Sequence, residues 1–141
     1  SSTVPASYPE VISVSGLVDS DGATGGLGPS DPCIGLADDT FAPFSNFGRS
    51  ITIAASSVCV STTYVNSDVA VDSGTSFASP AVAGAAALWL TSPGARTVLA
   101  KKSRSDYPRL VRKALLDNRE RTRMPGDPDR VSEGILNIRG I

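Results

Sequence analysis

Chemistry in this sequence concentrates in one stretch, Ser73-Gly74-Thr75-Ser76-Phe77-Ala78-Ser79-Pro80, which runs on into Ala81-Val82-Ala83-Gly84-Ala85-Ala86-Ala87-Leu88-Trp89-Leu90. It begins as a small-residue turn and becomes a long apolar run. Gly74 can take backbone angles closed to other residues, so a sharp bend is expected there. The alanines and leucines that follow favour helix, and Gly84 opposes it slightly. Pro80 fits the first helical turn, where its missing N–H is not needed. The helix is therefore expected to begin close to Ser76 and to end near Leu90. Being apolar almost all round, it is expected to be buried. A serine at the start of such a helix lies beside free backbone N–H groups and the positive end of the dipole. A developing oxyanion is stabilised in that position. The plainer alternative is that Ser76 caps a core helix, since serine is a preferred N-cap.

What the rest of the chain offers narrows the chemistry. The 141 residues contain no histidine. A self-contained Ser-His-Asp or Cys-His site is excluded, and so is a histidine-bearing zinc site. Cys33 and Cys59 are the only cysteines, and neither has a base to activate it as a nucleophile. Asp72 lies near Ser76 in sequence and reads as a strand-end acid in solvent. Asp19-Ser20-Asp21-Gly22 has the opening spacing of a calcium loop, but no later carboxylate stands at EF-hand spacing. A plain turn is the first reading there, and a structural calcium ion the alternative.

The elements that must position Ser76 are legible around it. Val11 to Leu17, bounded by Pro9 and Gly16, reads as a buried strand, and Ile51–Ala55 and Val58–Thr63 read as two more. Asp68–Asp72 is a short strand leading into the Ser73-Gly74 turn. Asp19 to Asp39 reads as loop, and so does Ser1 to Ser7. Ser92-Pro93-Gly94 is expected to end the helix and Lys101–Arg104 to form a basic loop. Leu110, Val111, Ala114 and Leu115 recur at helical spacing after Pro108 and predict a surface helix packed by one stripe. Met124–Asp129 reads as a turn, and Glu133–Ile138 as a final short element.

Hydrophobic residues make up 40% of the chain and the mean hydropathy is +0.02, the composition of a soluble globular protein. No apolar run reaches the roughly 18 residues of a membrane span, so no membrane is expected as a partner. The sequence opens at Ser1 with no basic-then-apolar leader, and reads as a processed product or a fragment. Net charge is −1 but uneven: residues 1–95 hold one base against eight acids, and residues 96–141 hold twelve bases against six acids. The basic face of the later helix, with Arg109, Arg112, Lys113 and Arg119, has no interleaved aromatics beyond Tyr107. It reads as a solvated face and not as a nucleic-acid site.

The string Gly-Thr-Ser-Phe-Ala-Ser-Pro at residues 74–80, followed by Ala81-Val82-Ala83-Gly84, resembles the nucleophile motif of subtilisin-like serine proteases. Val4-Pro5-Ala6-Ser7-Tyr8-Pro9 with the strand after it, Phe44-Ser45-Asn46-Phe47-Gly48, and Glu133-Gly134-Ile135-Leu136-Asn137 resemble other segments of the same family. The likeness runs from about Val4 to Ile138. It implies an α/β fold: a partial subtilisin-like three-layer arrangement with a mostly parallel sheet and a buried helix following the nucleophile serine. Residues 1–141 would be the C-terminal segment of the peptidase domain, with the part bearing the triad Asp and His missing. Departures are visible. Ala55-Ser56-Ser57 stands where the family usually has Ala-Pro-Gly, Thr52 where an acid often stands, Phe77 where many members have methionine, and Ala81 where the family usually has a non-catalytic histidine.

Carried over, the resemblance makes Ser76 the nucleophile, with its own N–H as half of an oxyanion hole, Thr75 supporting that hole and Gly74 permitting the turn. It makes Val4, Pro5 and Ala6 a wall of the primary specificity pocket and suggests that Val4-Pro5 is cis. Cys33 and Cys59 would form one disulfide, as cysteines in these two places do in some members, with two buried free thiols as the alternative. The implied function is a secreted serine endopeptidase acting on protein or peptide substrates, needing no cofactor for its chemistry. It would be inactive without the N-terminal half of the domain. A catalytically inactive binding module that keeps the fold is the competing reading.

Overall fold

The computed structural model describes residues 4–129 and 131–141; the expected loop at Ser1–Thr3 lies outside them. Its centre is a parallel pair of strands, β1 (Val14–Leu17) and β2 (Ile53–Ser56), in the register Val14 to Ile53 and Leu17 to Ser56. Side chains alternate across a strand, and β2 shows it. Ile53 and Ala55 face the helical layer, where Ala78, Val82, Ala85, Val111 and Leu115 complete one core. Ala54 faces the other way, onto Leu17, Phe41, Met124 and Ile135. The sheet is thus covered on both faces, by helices on one and by loop and closing segment on the other. Ile135 extends it through a parallel bridge to Ala54.

Helix α1 (Thr75–Thr91) crosses the sheet and also packs on α3 (Tyr107–Asn118). Its length agrees with expectation. Its burial does not: Ala78, Val82 and Ala85 are buried, but Leu88 is 55% exposed and Leu90 37%. Composition shows that a helix is apolar all round, whereas burial requires neighbours on every side. Here the described residues supply them along one stripe. Pro80 differs too. It sits past the first turn, inside the helix, and so leaves the Ser76 carbonyl without its usual partner four residues on.

α1 ends at Ser92, as expected, but Ser92 also starts a helix. Its hydroxyl accepts the Ala95 N–H at 3.2 Å and caps α2 (Pro93–Leu99). Ser-Pro-Gly reads as a stop signal; with proline at the first position the same residues serve as a start. α3 follows the periodicity, with Val111, Ala114 and Leu115 inward. Its cations are largely engaged within the chain. Arg112 donates to the Pro9 and Val11 carbonyls at 3.3 and 2.9 Å, Arg109 pairs with Asp106, and Lys113 with Asp117.

Two strand expectations shift. β1 begins at Val14: the Ser13 carbonyl is shared between the Thr52 and Ile53 N–H groups at 2.8 and 3.3 Å, and the Ser13 N–H turns to Thr52 Oγ1. The strand expected from Val58 is β3 (Val60–Tyr64), and it pairs antiparallel with β4 (Asp68–Asp72) through a turn at Val65–Ser67. Asn66 and Ser67, both with positive φ, make that turn. The hairpin stands out from the body, with Val69 and Val71 exposed. No helix among the described residues is long and apolar enough to cross a membrane.

Candidate active site

Ser76 is the second residue of α1. The residue before the helix is Gly74, so glycine, not Ser76, occupies the N-cap position. The N–H groups of Thr75 and Ser76 open the helix and have no carbonyl one turn earlier to bond. They stand with the positive end of a seventeen-residue helix dipole behind them. Ser76 is exposed, and among the described residues nothing hydrogen-bonds its hydroxyl. It is a primary alcohol held where an anionic oxygen next to it would be stabilised.

The expected reason for glycine at 74 is not what the backbone shows. Its φ of 163° is extended and open to other residues, and an added Cβ would sit 3.9 Å from the Phe77 ring. Near this turn, the glycine with no room for a side chain is Gly16 on β1. A Cβ there would lie 2.3 Å from Ser57 Oγ and 3.4 Å from Thr75 Cγ2. The sheet therefore approaches the turn before Ser76 at a contact only a bare backbone allows.

That turn is held from outside by the segment after β2. The Gly74 N–H donates to the Ser57 carbonyl at 2.8 Å, and the Cys59 N–H donates to Ser73 Oγ at 3.0 Å. Ser57 is fully buried and tied to the Leu17 carbonyl by its own N–H and hydroxyl. Asp72 is exposed, and its carboxylate accepts the adjacent Ser73 N–H at 2.7 Å. It faces solvent as the sequence suggests.

A cleft of about 460 Å³ opens beside the serine, with Pro5, Ala6, Ser13, Val14, Thr75 and Ser76 in its lining. Pro5 and Ala6, expected in a specificity pocket from the sequence, thus lie on the same cleft as Ser76, far along the chain. Val4 is 63% exposed and is not among the lining residues. The Val4–Pro5 bond is cis, as expected. A neighbouring cavity of about 220 Å³ shares Ala6, Ser13, Val14 and Thr75 and reaches Asn46 and Phe47. A groove of about 570 Å³ between Pro9–Ile12 and α3 is larger, but it is lined mostly by apolar residues and arginines, with no activated nucleophile.

Cys33 and Cys59 form a disulfide, with Cα atoms 5.8 Å apart across 26 residues. The aspartates of the long loop come together: carboxylate oxygens of Asp19, Asp21 and Asp38 lie within 4.8 Å of one another. Oxygen donors of this kind suit calcium. Asp38, however, commits both oxygens to its own loop, accepting from the Ser20 N–H and hydroxyl and from the Gly28 N–H. Burial pushes the Asp38 carboxyl up, but these donors outweigh it and hold it below the usual range. Asp19 is pushed up by burial and by the neighbouring Asp38, against a bond from Gly22.

Behind the sheet the balance is reversed. Burial raises Glu133 despite a 2.8 Å hydrogen bond from Ser15 Oγ. Burial also raises Asp127, whose Oδ2 has no partner among the described residues.

Sequence reasoning misses Gly16, Ser57 and Ser73 as supports of the turn. A glycine in a strand is the one available signal, since it marks a bulge or a close approach. Two serines among many carry none.

The subtilase family model matches residues 1–132. No curated protein matches the chain significantly. Among solved structures, the prenylagaramide maturation protease PagA is 30% identical with a TM-score of 0.64, over 96% of this chain and 42% of that one. The patellamide maturation protease PatA is 26% identical with a TM-score of 0.66, over 97% of this chain and 43% of that one. A cold-adapted subtilisin-like serine proteinase, at 24% identity and a TM-score of 0.55, shares the fold over 95% of this chain and 37% of its own length. The chain thus spans less than half the length of these proteins. It belongs to the subtilase family, and its α/β fold is the subtilisin-like one.

Proposed function

We propose that this subtilase chain is the serine-bearing C-terminal segment of a peptidase domain, and that the complete domain hydrolyses peptide bonds through an acyl-enzyme on Ser76. The observation that carries this reading is the opening of α1. It brings an exposed serine hydroxyl, two free N–H groups and a cleft walled by Pro5 and Ala6 to one place. Ser76 Oγ attacks the substrate carbonyl, and the Ser76 N–H receives the oxyanion as it forms. Thr75 stands beside that position, and Gly74 keeps the approach clear of a side chain. Pro5 and Ala6, without the outlying Val4, form the wall against which the substrate side chain before the scissile bond packs.

The chain has no histidine, so the base that takes the Ser76 proton belongs to the part of the domain outside these residues. The subtilisin order Asp, His, Ser puts both other triad members before the serine. The chain by itself is then inactive, because an unassisted serine hydroxyl is a weak nucleophile. Substrates are proteins or peptides. The disulfide fits an oxidising compartment, so the enzyme is exported. The acyl transfer needs no cofactor; a calcium ion at Asp19, Asp21 and Asp38 would be structural.

Ser76→Ala in the complete domain tests the reading. Activity should fall by about a million-fold, the scale of loss that removing the triad serine causes in subtilisin, and labelling by a fluorophosphonate should vanish. Retention of most activity would sink the assignment.

A further inference from the structure

We propose that the Cys33–Cys59 disulfide positions Ser76, acting through the hydroxyl of Ser73. The inference rests on the assignment of Ser76 as nucleophile. It starts from Asp31, which is buried and gathers three backbone donors. Oδ1 accepts the N–H groups of Cys33 and Ile34 at 2.8 and 3.0 Å, and Oδ2 accepts that of Leu36 at 3.1 Å. The Asp31 N–H in turn bonds the Leu36 carbonyl. Residues 31–36 are therefore a closed, internally braced turn, and Cys33 is carried on it.

The disulfide transmits that brace to Cys59, whose φ is +55°. A residue with a side chain holds that conformation only where its surroundings impose it. In it, the Cys59 N–H donates to Ser73 Oγ. Two residues earlier the Ser57 carbonyl takes the Gly74 N–H. Residues 57–59 thus clasp residues 73–74 at two points, and the next two residues are Thr75 and Ser76. The two points have different anchors. Ser57 is fixed to the end of β1 through the Leu17 carbonyl, whereas Cys59 is fixed through the disulfide to the Asp31 turn.

Without the disulfide, Cys59 is free to relax to an ordinary backbone angle and its N–H turns away from Ser73. Of the two clasp bonds only Gly74 to Ser57 then remains, beside the pairing of Val60 with Asp72 in the hairpin. A displacement of about 1 Å in a catalytic group costs up to 10²-fold in rate. Ser73 is accordingly a positioning residue and does not touch the substrate.

The experiment uses the complete catalytic domain as wild type, Cys33→Ser/Cys59→Ser, Ser73→Ala and Ser73→Thr. Two quantities are read well below each melting temperature: the rate of Ser76 labelling by a small fluorophosphonate, and kcat and KM on a peptide ester. The double cysteine variant and Ser73→Ala should label about tenfold more slowly, with kcat down and KM little changed. Ser73→Thr keeps the acceptor oxygen and should restore most of the rate. Adding Ser73→Ala to the double variant should cost nothing further, since the same bond is already lost. Ser73→Ala keeps both cysteines, so it decides the matter if the cysteine variant fails to fold. Wild-type labelling rates in Ser73→Ala, or in a cysteine variant that has only lost thermal stability, would overturn the inference and leave the nucleophile assignment standing. A wild-type domain that does not label, or a Ser76→Ala variant that stays active, overturns both.

Discussion

The two halves of α1 are held very differently. At its start, Ala78 and Val82 lie in the core against Ile53 and Ala55, and the turn before it is bonded to residues 57–59. At its end, Leu88 and Leu90 are exposed, Ala85 is the one core residue, and Trp89 and Ala86 lean on the core. The sequence of the second half is the more hydrophobic of the two, so hydrophobicity does not explain the order of burial. What differs is the neighbours. Strands β1 and β2 pack against α1, and helices α2 and α3 touch it along one side, but among the described residues nothing covers Leu88. The end that carries the serine is the end this chain can stabilise by itself.

The largest effect should come from cutting into the buried stripe. Leu115→Ala or Ile53→Ala removes a fully covered side chain from the core that seats α1. Each should cost about 2–5 kcal/mol in urea unfolding of the complete domain. A cost below about 1 kcal/mol would mean that the stripe is not what seats the helix.

Gly16→Ala attacks the same end from the sheet. Its Cβ would press on Ser57 at 2.3 Å, and overpacking of this kind costs about 1–3 kcal/mol. Because Ser57 is one point of the clasp, peptidase activity should fall more than stability does. An active, stable variant would show that the sheet does not set the turn.

Glu133 probes the support behind β1. Burial raises its carboxyl above the ordinary value of 4.5, with the Ser15 hydroxyl pulling the other way. The folded state therefore keeps this proton to higher pH than the unfolded chain does. The stability linked to it is complete below about pH 4.5 and is lost as pH rises through the folded value. The buried Asp127 carboxyl shifts in the same direction. Melting temperature should decline over that rise in wild type and decline less in Glu133→Gln. Identical pH profiles for the two would refute it.

The smallest effect belongs to the far half. Leu88→Lys in this chain by itself should change stability by no more than about 0.5 kcal/mol, as exposed positions do, and should raise solubility. A larger loss would mean that this half is packed as well as the first, and the contrast would disappear.

Much of the site is legible in residues close together. The string from Ser73 to Gly84 marks the turn, the serine and the helix, because helix start and helix propensity are local properties. The stripe of α3 is readable from its period for the same reason. Less is legible where one residue type serves two ends. Ser92-Pro93 both ends α1 and begins α2, and only the path of the chain afterwards distinguishes the two uses. The sequence places Pro80 within one turn of the helix start; the structure places it further in, where it removes the bond to the Ser76 carbonyl.

By itself, the sequence determined where the proposed chemistry would lie and which elements carry it: Ser76 at a helix start, strands on either side of it, and no histidine anywhere in the chain to complete a triad. Only the tertiary structure decided which face of α1 is buried, that Pro5 and Ala6 share a cleft with Ser76, and that residues 57–59 clasp residues 73–74. The division has a physical cause. Propensity and periodicity act over a few residues and are written in consecutive positions. Burial, cleft walls and the clasp depend on contacts between residues far apart in the chain, which exist only once the sheet, the helices and the Cys33–Cys59 disulfide have brought those segments together.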